Sequence, residues 1–252
     1  MKNGHDTIKL RRRRLLQSGA AALAGLALGG LPLVLHAADA ASKKLKIGVI
    51  GSGKVGGTVG ELWAKAGHEV MFSSLDIEHD KALAASVGAG ARAGTTREAA
   101  VFGEVLFFAV PYAALPQLGR DLADAIKGKV ALDACNPVPG RDGDMANEAR
   151  AKGTGVASPQ FLAGARIVRA FNCVGYSYMK SEAHRAGERL GIPLAADDAA
   201  ALQVAVRLVQ DAGFEPVVVG GLARAKDFDY GTPIFGKPRT AAEVRQILGI
   251  SS

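Results

Sequence analysis

The sequence predicts an α/β fold with a doubly wound, mostly parallel sheet and a small C-terminal lobe. Segments with strand-like and helix-like patterns alternate from residue 45 to the end of the chain, which is typical of this fold class. The segment 45–74 has the length of one strand–helix–strand unit, about 30 residues. Residues 105–110 form a continuous apolar run, as expected for a central strand buried on both faces.

Three glycines with the spacing G-x-G-x-x-G directly follow the first predicted strand. In a dinucleotide-binding turn, Gly51 allows the tight bend, Gly53 lets the backbone approach a pyrophosphate, and Gly56 lets the helix pack closely on the strand. The free N–H groups and the dipole at the helix start attract phosphate. The alternative is a tight strand-to-helix turn without a ligand. The predicted cofactor contacts in this turn are Gly51, Ser52, Gly53, Lys54, Val55 and Gly56.

The remaining elements follow from apolar spacing and from glycine and proline positions. Thr95 and Glu98 have the spacing of a capping box at a helix start. Predicted strands cover 45–50, 68–74, 105–110, 129–135, 166–172, 192–196 and 215–219, and predicted helices cover 54–66, 78–87, 112–127, 158–162, 198–212 and 240–248. We therefore predict one dinucleotide-binding, Rossmann-like domain over 42–252, with a C-terminal α/β lobe from about 190.

The first 41 residues have the three parts of an export signal. Arg11–Arg14 precede an uncharged run from Leu15 to Leu35, and Ala38-Asp39-Ala40 resembles a cleavage site. The order Arg12-Arg13-Arg14-Leu15-Leu16-Gln17 resembles a twin-arginine signal. We expect a periplasmic protein, or a membrane-anchored one if the signal is not cleaved. Because twin-arginine export carries folded proteins, a cofactor can be bound before export.

The net charge of +7 does not indicate nucleic-acid binding. The first 41 residues account for more than half of it and leave +3 for the remainder, where no basic block and no interleaved aromatic residues occur. The sequence has no cysteine pairs at zinc-site spacing. We expect neither a nucleic-acid partner nor a metal, and the export signal is the only expected contact with a membrane.

The end of the second strand bears on the choice of nicotinamide cofactor. NAD-binding domains usually place an acid there to hold the ribose 2′-hydroxyl, whereas this strand ends in Ser73 and Ser74. Two hydroxyls that donate to a 2′-phosphate favour NADP. NADP-binding domains normally have an arginine at the position of Leu75, and Lys81 in the next helix could replace its charge. Asp76 is the residue that favours NAD instead.

Several stretches taken together resemble the coenzyme F-420-dependent NADP oxidoreductase family. The similar stretches are Ile47–Gly56, Gly67–Ser74, Leu106–Tyr112, Leu132–Pro137 and Arg169–Asn172. The most specific motifs are HEVMFSS, FAVPY, DACNP and RAFN, which lie in the last four of these stretches in that order. The same domain type occurs in six-transmembrane metalloreductases and in pyrroline-5-carboxylate reductases. The resemblance implies a Rossmann-like domain and hydride transfer between NADPH and a deazaflavin or flavin-type acceptor. The family usually has Ser-Ser-Arg or Ser-Arg after the second strand, and Leu75 departs from it.

Hydride transfer between two rings needs alignment and exclusion of water more than it needs an acid or a base. Accordingly, no His-Asp or Lys-Tyr couple is found at a strand end, and we assign no catalytic residue. Val110 and Pro111 are expected to line the pyrophosphate–ribose channel, and Asn136 to hold the nicotinamide ribose or carboxamide, because open α/β sheets bind ligands at strand carboxyl ends. For Asn136, ordinary turn chemistry is an equal alternative.

Cys135 and Cys173 follow two different predicted strands, where the family more often has threonine. In an oxidising compartment they could form a disulfide. The alternative is two buried thiols that pack as small apolar groups.

Three functions are compatible with these patterns. The first is NADPH-dependent hydride transfer to a deazaflavin or flavin-type small-molecule acceptor, with NAD as the alternative cofactor. The second is flavin-dependent reduction of ferric or other metal ions, and the third is nucleotide binding without catalysis. The sequence leaves the acceptor and the oligomeric state open, with a homodimer as one option.

Overall fold

The computed structural model describes residues 43–88 and 90–250. The predicted export signal, residues 1–41, lies outside the described residues, and its function and cleavage stay predictions. Among the described residues, no helix is long and apolar enough to cross a membrane.

Eight strands form a single sheet in the order β3-β2-β1-β4-β5-β6-β7-β8. All neighbouring strands are parallel except β6 and β7, which pair antiparallel through Arg169 and Ala195. The strands are β1 Lys46–Ile50, β2 Glu69–Ser73, β3 Ala91–Ala93, β4 Val105–Phe108, β5 Val130–Asp133, β6 Arg166–Arg169, β7 Gly191–Ala195 and β8 Glu215–Gly220. The predicted α/β class and mostly parallel sheet are confirmed.

The described residues also contain eleven α-helices and two 3₁₀ helices, most of which connect successive strands. The α-helices are α1 Lys54–Lys65, α2 Ile77–Val87, α3 Thr96–Phe102, α4 Leu115–Asp121, α5 Ala123–Ile126, α6 Pro139–Asp142, α7 Asp144–Lys152, α8 Thr154–Phe161, α9 Tyr176–Glu182, α10 Ala199–Asp211 and α11 Ala241–Leu248. The 3₁₀ helices are Tyr112–Ala114 and Leu222–Asp227. The predicted capping box of Thr95 and Glu98 is confirmed at the start of α3.

The sheet is buried on both faces because successive side chains point to opposite sides. In β4, Phe107 packs into one apolar core and Phe108 into the other, and both are fully buried. This explains why the run 105–110 has no polar residue, since neither face of a central parallel strand meets water.

One of the two cores is organised around Trp63, the single tryptophan of the chain. Its ring packs edge-on against Phe107 and Phe171, with centroid distances of 5.1 and 5.7 Å. The buried indole N–H donates to the carbonyl of Leu208 at 2.7 Å. Because α10 supplies this carbonyl, Trp63 ties α1 to the C-terminal part of the chain.

The sequence pattern did not predict several short elements. Residues 138–157 were expected to be mainly loop, and they contain α6, α7 and the first half of α8. The predicted helix 112–127 is interrupted, and β3 lies in a segment for which no element was predicted. From Gly191 onward, β7 and β8 continue the same sheet at its edge. The boundary of the C-terminal lobe stays a prediction.

His68 lies in the turn before β2 and is buried. Its Nδ1 accepts from the backbone N–H of Leu45 at 3.1 Å, and its Nε2 lies 2.9 Å from a carboxylate oxygen of Asp211. Burial lowers the pKa of His68 below 6.5, and the contact with Asp211 offsets part of this effect.

We expect the free energy of unfolding to fall as the pH drops below about 6.5, because the unfolded chain then binds a proton that folded His68 resists. The contribution is fully present above that pH. Urea unfolding at about pH 7.5 and about pH 5.5 measures it. His68→Asn, which keeps an acceptor for Leu45, should reduce the dependence, whereas His79→Asn at an exposed position should not. An equal pH dependence in all three proteins would contradict this assignment.

Candidate functional site

The turn between β1 and α1 has a backbone conformation that favours glycine. Gly51 has φ +99°, and a Cβ there would lie 2.6 Å from the carbonyl oxygen of Ala109. The N–H groups of Gly51 and Ser52 donate to the carbonyl of Ser73, at 2.9 and 3.0 Å. The end of β2 therefore fixes the bend that follows β1.

Gly53 and Gly56 meet very different surroundings. A Cβ on Gly56 would lie 1.9 Å from the carbonyl oxygen of Gly51, so α1 can approach the turn this closely only with glycine. A Cβ on Gly53 would meet nothing within 4 Å. Packing within the protein thus explains why positions 51 and 56 are glycine. It does not explain why position 53 is glycine, because Gly53 faces open space at the start of α1. This is the arrangement that close approach of a pyrophosphate requires.

The two residues after Gly53 in the predicted site point to different surroundings. The ammonium group of Lys54 lies over the ring of Tyr176 on α9, 5.2 Å from its centroid. Val55 is partly buried and packs against the core. Any contact of Val55 with a cofactor would therefore have to come from its backbone N–H.

The hydroxyls at the end of β2 already have protein acceptors. Ser73 is fully buried and donates to the carbonyl of Val49 at 2.7 Å. Ser74 donates to the carboxylate of Asp80, whose oxygens lie at 2.9 and 3.0 Å, and Ser52 donates to the same carboxylate. With these partners neither hydroxyl is free to donate to a 2′-phosphate, and the expected contact with that phosphate stays a prediction. A hydroxyl has one proton, and these protons point into the protein.

The residues that follow Ser74 have other roles than those expected. Leu75 is fully exposed, and Asp76 caps α2 by accepting from the N–H groups of Glu78 and His79. Lys81 forms an exposed ion pair with Glu78 at 2.7 Å. The acid nearest the serines is Asp80, which is fully buried, and the sequence analysis missed it.

The ends of β4 and β5 bring the other predicted residues to the same edge of the sheet. Val110 is partly buried and Pro111 is exposed. The side-chain amide of Asn136 donates to the carbonyl of Asn172 at 2.7 Å, while its buried Oδ1 has no partner within the described chain. The Oδ1 of Asn172 is likewise buried and without a partner there. Such atoms are costly unless a ligand or water satisfies them.

Arg141 and Asp142 hold these loops together. Asp142 accepts from the N–H of Val138 at 2.8 Å and from that of Ala113 at 3.2 Å, so it joins the loops after β5 and β4. Arg141 donates to the carbonyl of Asn136 at 2.7 Å. Burial alone would raise the pKa of Asp142, but Arg141 and the two backbone donors lower it below its usual value.

A fully buried arginine lies beneath this edge. Arg169, the last residue of β6, lies beside Asp133, the last residue of β5, with Nη1 2.7 Å from its carboxylate. Nη1 also donates to the carbonyls of Asp133 and Cys135, at 2.9 and 3.0 Å. Nη2 lies 3.3 Å from the carboxylate of Asp229. Burial alone would lower the pKa of Arg169, but the two carboxylates more than offset it and raise that pKa.

The cluster of Asp133, Arg169 and Asp229 was not predicted from the sequence, although the sequence contains a signal for it. Asp133 and Arg169 are opposite charges at the ends of two otherwise apolar runs that were both predicted to be strands. In a parallel sheet such positions are neighbours when the strands are adjacent. The side chains position the backbone that carries Asn136.

Cys135 and Cys173 are both buried and free. The structure therefore does not contain the disulfide that the sequence left open. Burial raises the pKa of both thiols, that of Cys173 to about 12, so both stay protonated at neutral pH. Within the described chain, no group of three or more His, Cys, Asp or Glu side chains could hold a metal ion.

Comparison with known proteins shows a family similarity in the N-terminal part of the described chain. Residues 46–137 match the model of the family described as NADP oxidoreductase, coenzyme F-420-dependent. This stretch is therefore similar to that family. The match begins at the first residue of β1 and ends at Pro137, so it includes the glycine turn, the two serines and Asn136. The segment is an NAD(P)-dependent oxidoreductase domain with a Rossmann-type fold.

Solved structures support the same fold for this oxidoreductase. A hypothetical protein from Sinorhizobium meliloti is 21% identical with a TM-score of 0.66, and the alignment covers 79% of this chain and 96% of that protein. A proposed F-420-dependent NADP reductase from Arthrobacter sp. FB24 is 22% identical with a TM-score of 0.62, covering 72% of this chain and 87% of that one.

A more distant likeness connects the fold to another reductase. A pyrroline-5-carboxylate reductase from Coxiella burnetii is 14% identical with a TM-score of 0.52, covering 70% of this chain and 59% of that one. At these identities the similarities establish the fold alone. No curated protein sequence matched the chain.

Proposed function

We propose that the protein transfers a hydride between NADPH and a deazaflavin or flavin-type acceptor. The observation that carries the proposal is the open space at Gly53, within a turn that Gly51 and Gly56 hold in place. The family match over 46–137 supports a nicotinamide cofactor, and the description of that family supports NADP and coenzyme F-420.

The residues present fit a bound dinucleotide. The N–H groups at the start of α1, next to Gly53, would hold the pyrophosphate. The unpartnered Oδ1 of Asn136 would accept from a ribose hydroxyl or from the carboxamide, which would remove the cost of a buried unpaired acceptor. The bound nicotinamide ring supplies a hydride-donating carbon.

The protein's own contribution would be alignment of two rings and exclusion of water. Tyr112, the phenol that directly follows Pro111 after β4, is fully buried, and its hydroxyl forms a hydrogen bond of 3.1 Å with that of Ser158. Burial raises its pKa well above the usual value, so it is a poor proton donor at neutral pH. We therefore assign no catalytic acid or base, which agrees with hydride transfer between aromatic rings.

The preference for NADPH over NADH should be small in this protein. The serine hydroxyls at the end of β2 donate to protein acceptors, and Leu75 provides no charge. We expect Leu75→Arg to raise the NADPH-to-NADH ratio of kcat/KM about tenfold, because an exposed guanidinium can pair with the 2′-phosphate. Leu75→Gln, which adds length without charge, should leave the ratio within about twofold. An equal response to both substitutions would contradict this placement of the 2′-position.

The proposed function is tested by cofactor titration followed by turnover. Purified protein should quench or shift the fluorescence of NADPH on binding, and it should oxidise bound NADPH when a flavin or deazaflavin is added. The absence of binding by both NADPH and NADH would refute the proposal. Tight binding without oxidation by any acceptor would favour a non-catalytic nucleotide-binding protein instead.

The cellular setting is also a proposal. The signal-like residues 1–41 support export by the twin-arginine route, with the cofactor bound before translocation. Cell fractionation with and without a substitution of Arg12 and Arg13 by lysine tests the route, and cytoplasmic localisation of both forms would contradict it. The oligomeric state stays open, with a homodimer as one option, and the molecular mass in solution measures it.

A further inference from the structure

A cavity of about 480 Å³ lies beside the segment that follows the second 3₁₀ helix. Asn147 and Arg150 line it from α7, and Lys226, Asp229 and Tyr230 line it from the other side. The dinucleotide turn does not contribute to its lining.

The charges around this cavity are unbalanced. Neither Arg150 nor Lys226 forms an ion pair with another residue of the described chain. The nearby Asp227 is paired with Arg224. Asp229 is mostly buried, and its carboxylate is engaged by Arg169 and by the N–H and hydroxyl of Thr154. The cavity therefore presents two positive charges that no protein carboxylate neutralises.

Arg150 is held in place without the use of its hydrogen-bond donors. Its guanidinium lies over the ring of Tyr230, 5.5 Å from the centroid. A Cβ on Gly231 would lie 3.3 Å from Nη2 of Arg150, so the backbone there leaves little room beside it. A guanidinium fixed in this way has its donors free for an oxyanion, which it can bind through two parallel hydrogen bonds.

The cavity is joined to the predicted nicotinamide end of the site by two hydrogen-bonded paths. Asp229, in its lining, contacts Arg169, which donates to the carbonyl of Cys135 next to Asn136. Asn172, which accepts from Asn136, donates to the carbonyl of Phe228 at 3.2 Å. The cavity wall is thus tied to the ends of β5 and β6, where the acceptor ring would meet the nicotinamide.

We propose that this cavity binds an anionic group, a phosphate or a carboxylate, carried by the hydride acceptor. This inference rests on the function proposed above, and it adds that the acceptor carries a negative charge. Arg150 and Lys226 are specificity residues that bind the oxyanion and take no part in the transfer of the hydride.

Three flavins with the same ring system test the proposal, namely neutral riboflavin, the phosphate FMN and the carboxylate carboxymethylflavin. At saturating NADPH, kcat/KM for the anionic acceptors should exceed that for riboflavin by about tenfold. Arg150→Met and Lys226→Met should each remove most of this preference, while the rate with riboflavin and the Kd for NADPH stay unchanged. Lys152→Met, an exposed lysine of the same helix outside the cavity lining, is the matched control and should behave as the wild type.

Equilibrium dialysis of FMN and riboflavin, with inorganic phosphate as competitor, gives a readout that does not depend on turnover. Tighter binding of FMN that both cavity variants weaken supports the proposal even when no flavin is reduced, and failure of the proposed function would appear separately as absent NADPH binding. If only FMN is preferred over riboflavin, the cavity binds a phosphate group. If FMN and carboxymethylflavin are both preferred, the cavity binds either a phosphate or a carboxylate. Equal binding of riboflavin and FMN, or a preference that survives both substitutions, would overturn the inference.

Discussion

Arg169→Met is expected to lower the free energy of unfolding by about 3–5 kcal/mol. The substitution keeps a long apolar stem but removes the cation that pairs with Asp133 and Asp229. Both carboxylates are largely shielded from water, and two backbone carbonyls lose their donor as well. Removing one member of a buried ionic cluster leaves the remaining charges uncompensated. Urea unfolding followed by circular dichroism measures the loss.

The same strand offers a control for this prediction. Arg166 begins β6 and pairs with Asp198 at 2.7 Å, but both side chains are more than one third exposed. Arg166→Met should therefore cost about 1 kcal/mol or less, since exposed ion pairs contribute little. A similar loss for the two variants would mean that the buried cluster has no special role in stability.

Gly53→Ala and Gly56→Ala should separate cofactor binding from folding. The added methyl group of Gly53→Ala meets no protein atom, so the free energy of unfolding should fall by only about 0.5–1 kcal/mol, because alanine is a poorer helix N-cap than glycine. The same methyl group occupies the space through which the backbone approaches a pyrophosphate. We expect the affinity for NADPH to fall about tenfold or more.

Gly56→Ala places its methyl group 1.9 Å from the carbonyl oxygen of Gly51. The helix has to move away from the turn, at a cost of about 3 kcal/mol, and we expect both stability and NADPH binding to be lost together. Calorimetric titration and urea unfolding of the two variants, side by side, make the comparison. Unchanged NADPH affinity in a folded Gly53→Ala protein would show that the dinucleotide binds elsewhere.

The sequence was sufficient to predict the main elements of this fold because their signals are local. The buried run 105–110, the glycine turn and the capping box of Thr95 each depend on a few neighbouring residues, and the structure has β4, the β1–α1 turn and the α3 start there. The short helices α6 and α7 had no comparable apolar spacing. They are stabilised instead by contacts such as that of Asp142 with loops that are distant in the chain.

The sequence was sufficient to predict the backbone turn of the candidate site, but not the hydrogen-bond partners of its side chains. Spacing alone assigned separate roles to Gly51, Gly53 and Gly56, and their surroundings agree with those roles. The directions of the serine hydroxyls could not be predicted in the same way, because Ser73 donates to the carbonyl of Val49 and Ser74 donates to the carboxylate of Asp80 on α2. Likewise, Arg150 and Lys226, the two cations that line the cavity, are far apart in sequence, and only the tertiary structure brings them together.

The burial of Trp63 gives this protein an intrinsic optical probe. As the single tryptophan in the chain, it reports on one environment only, and its emission should shift to longer wavelength when α1 separates from α10. The helix that carries Trp63 begins at the glycine turn, and reduced nicotinamide absorbs light in the range where tryptophan emits. Bound NADPH should therefore quench this emission by energy transfer, so that one fluorescence signal follows both unfolding and the oxidation state of the cofactor.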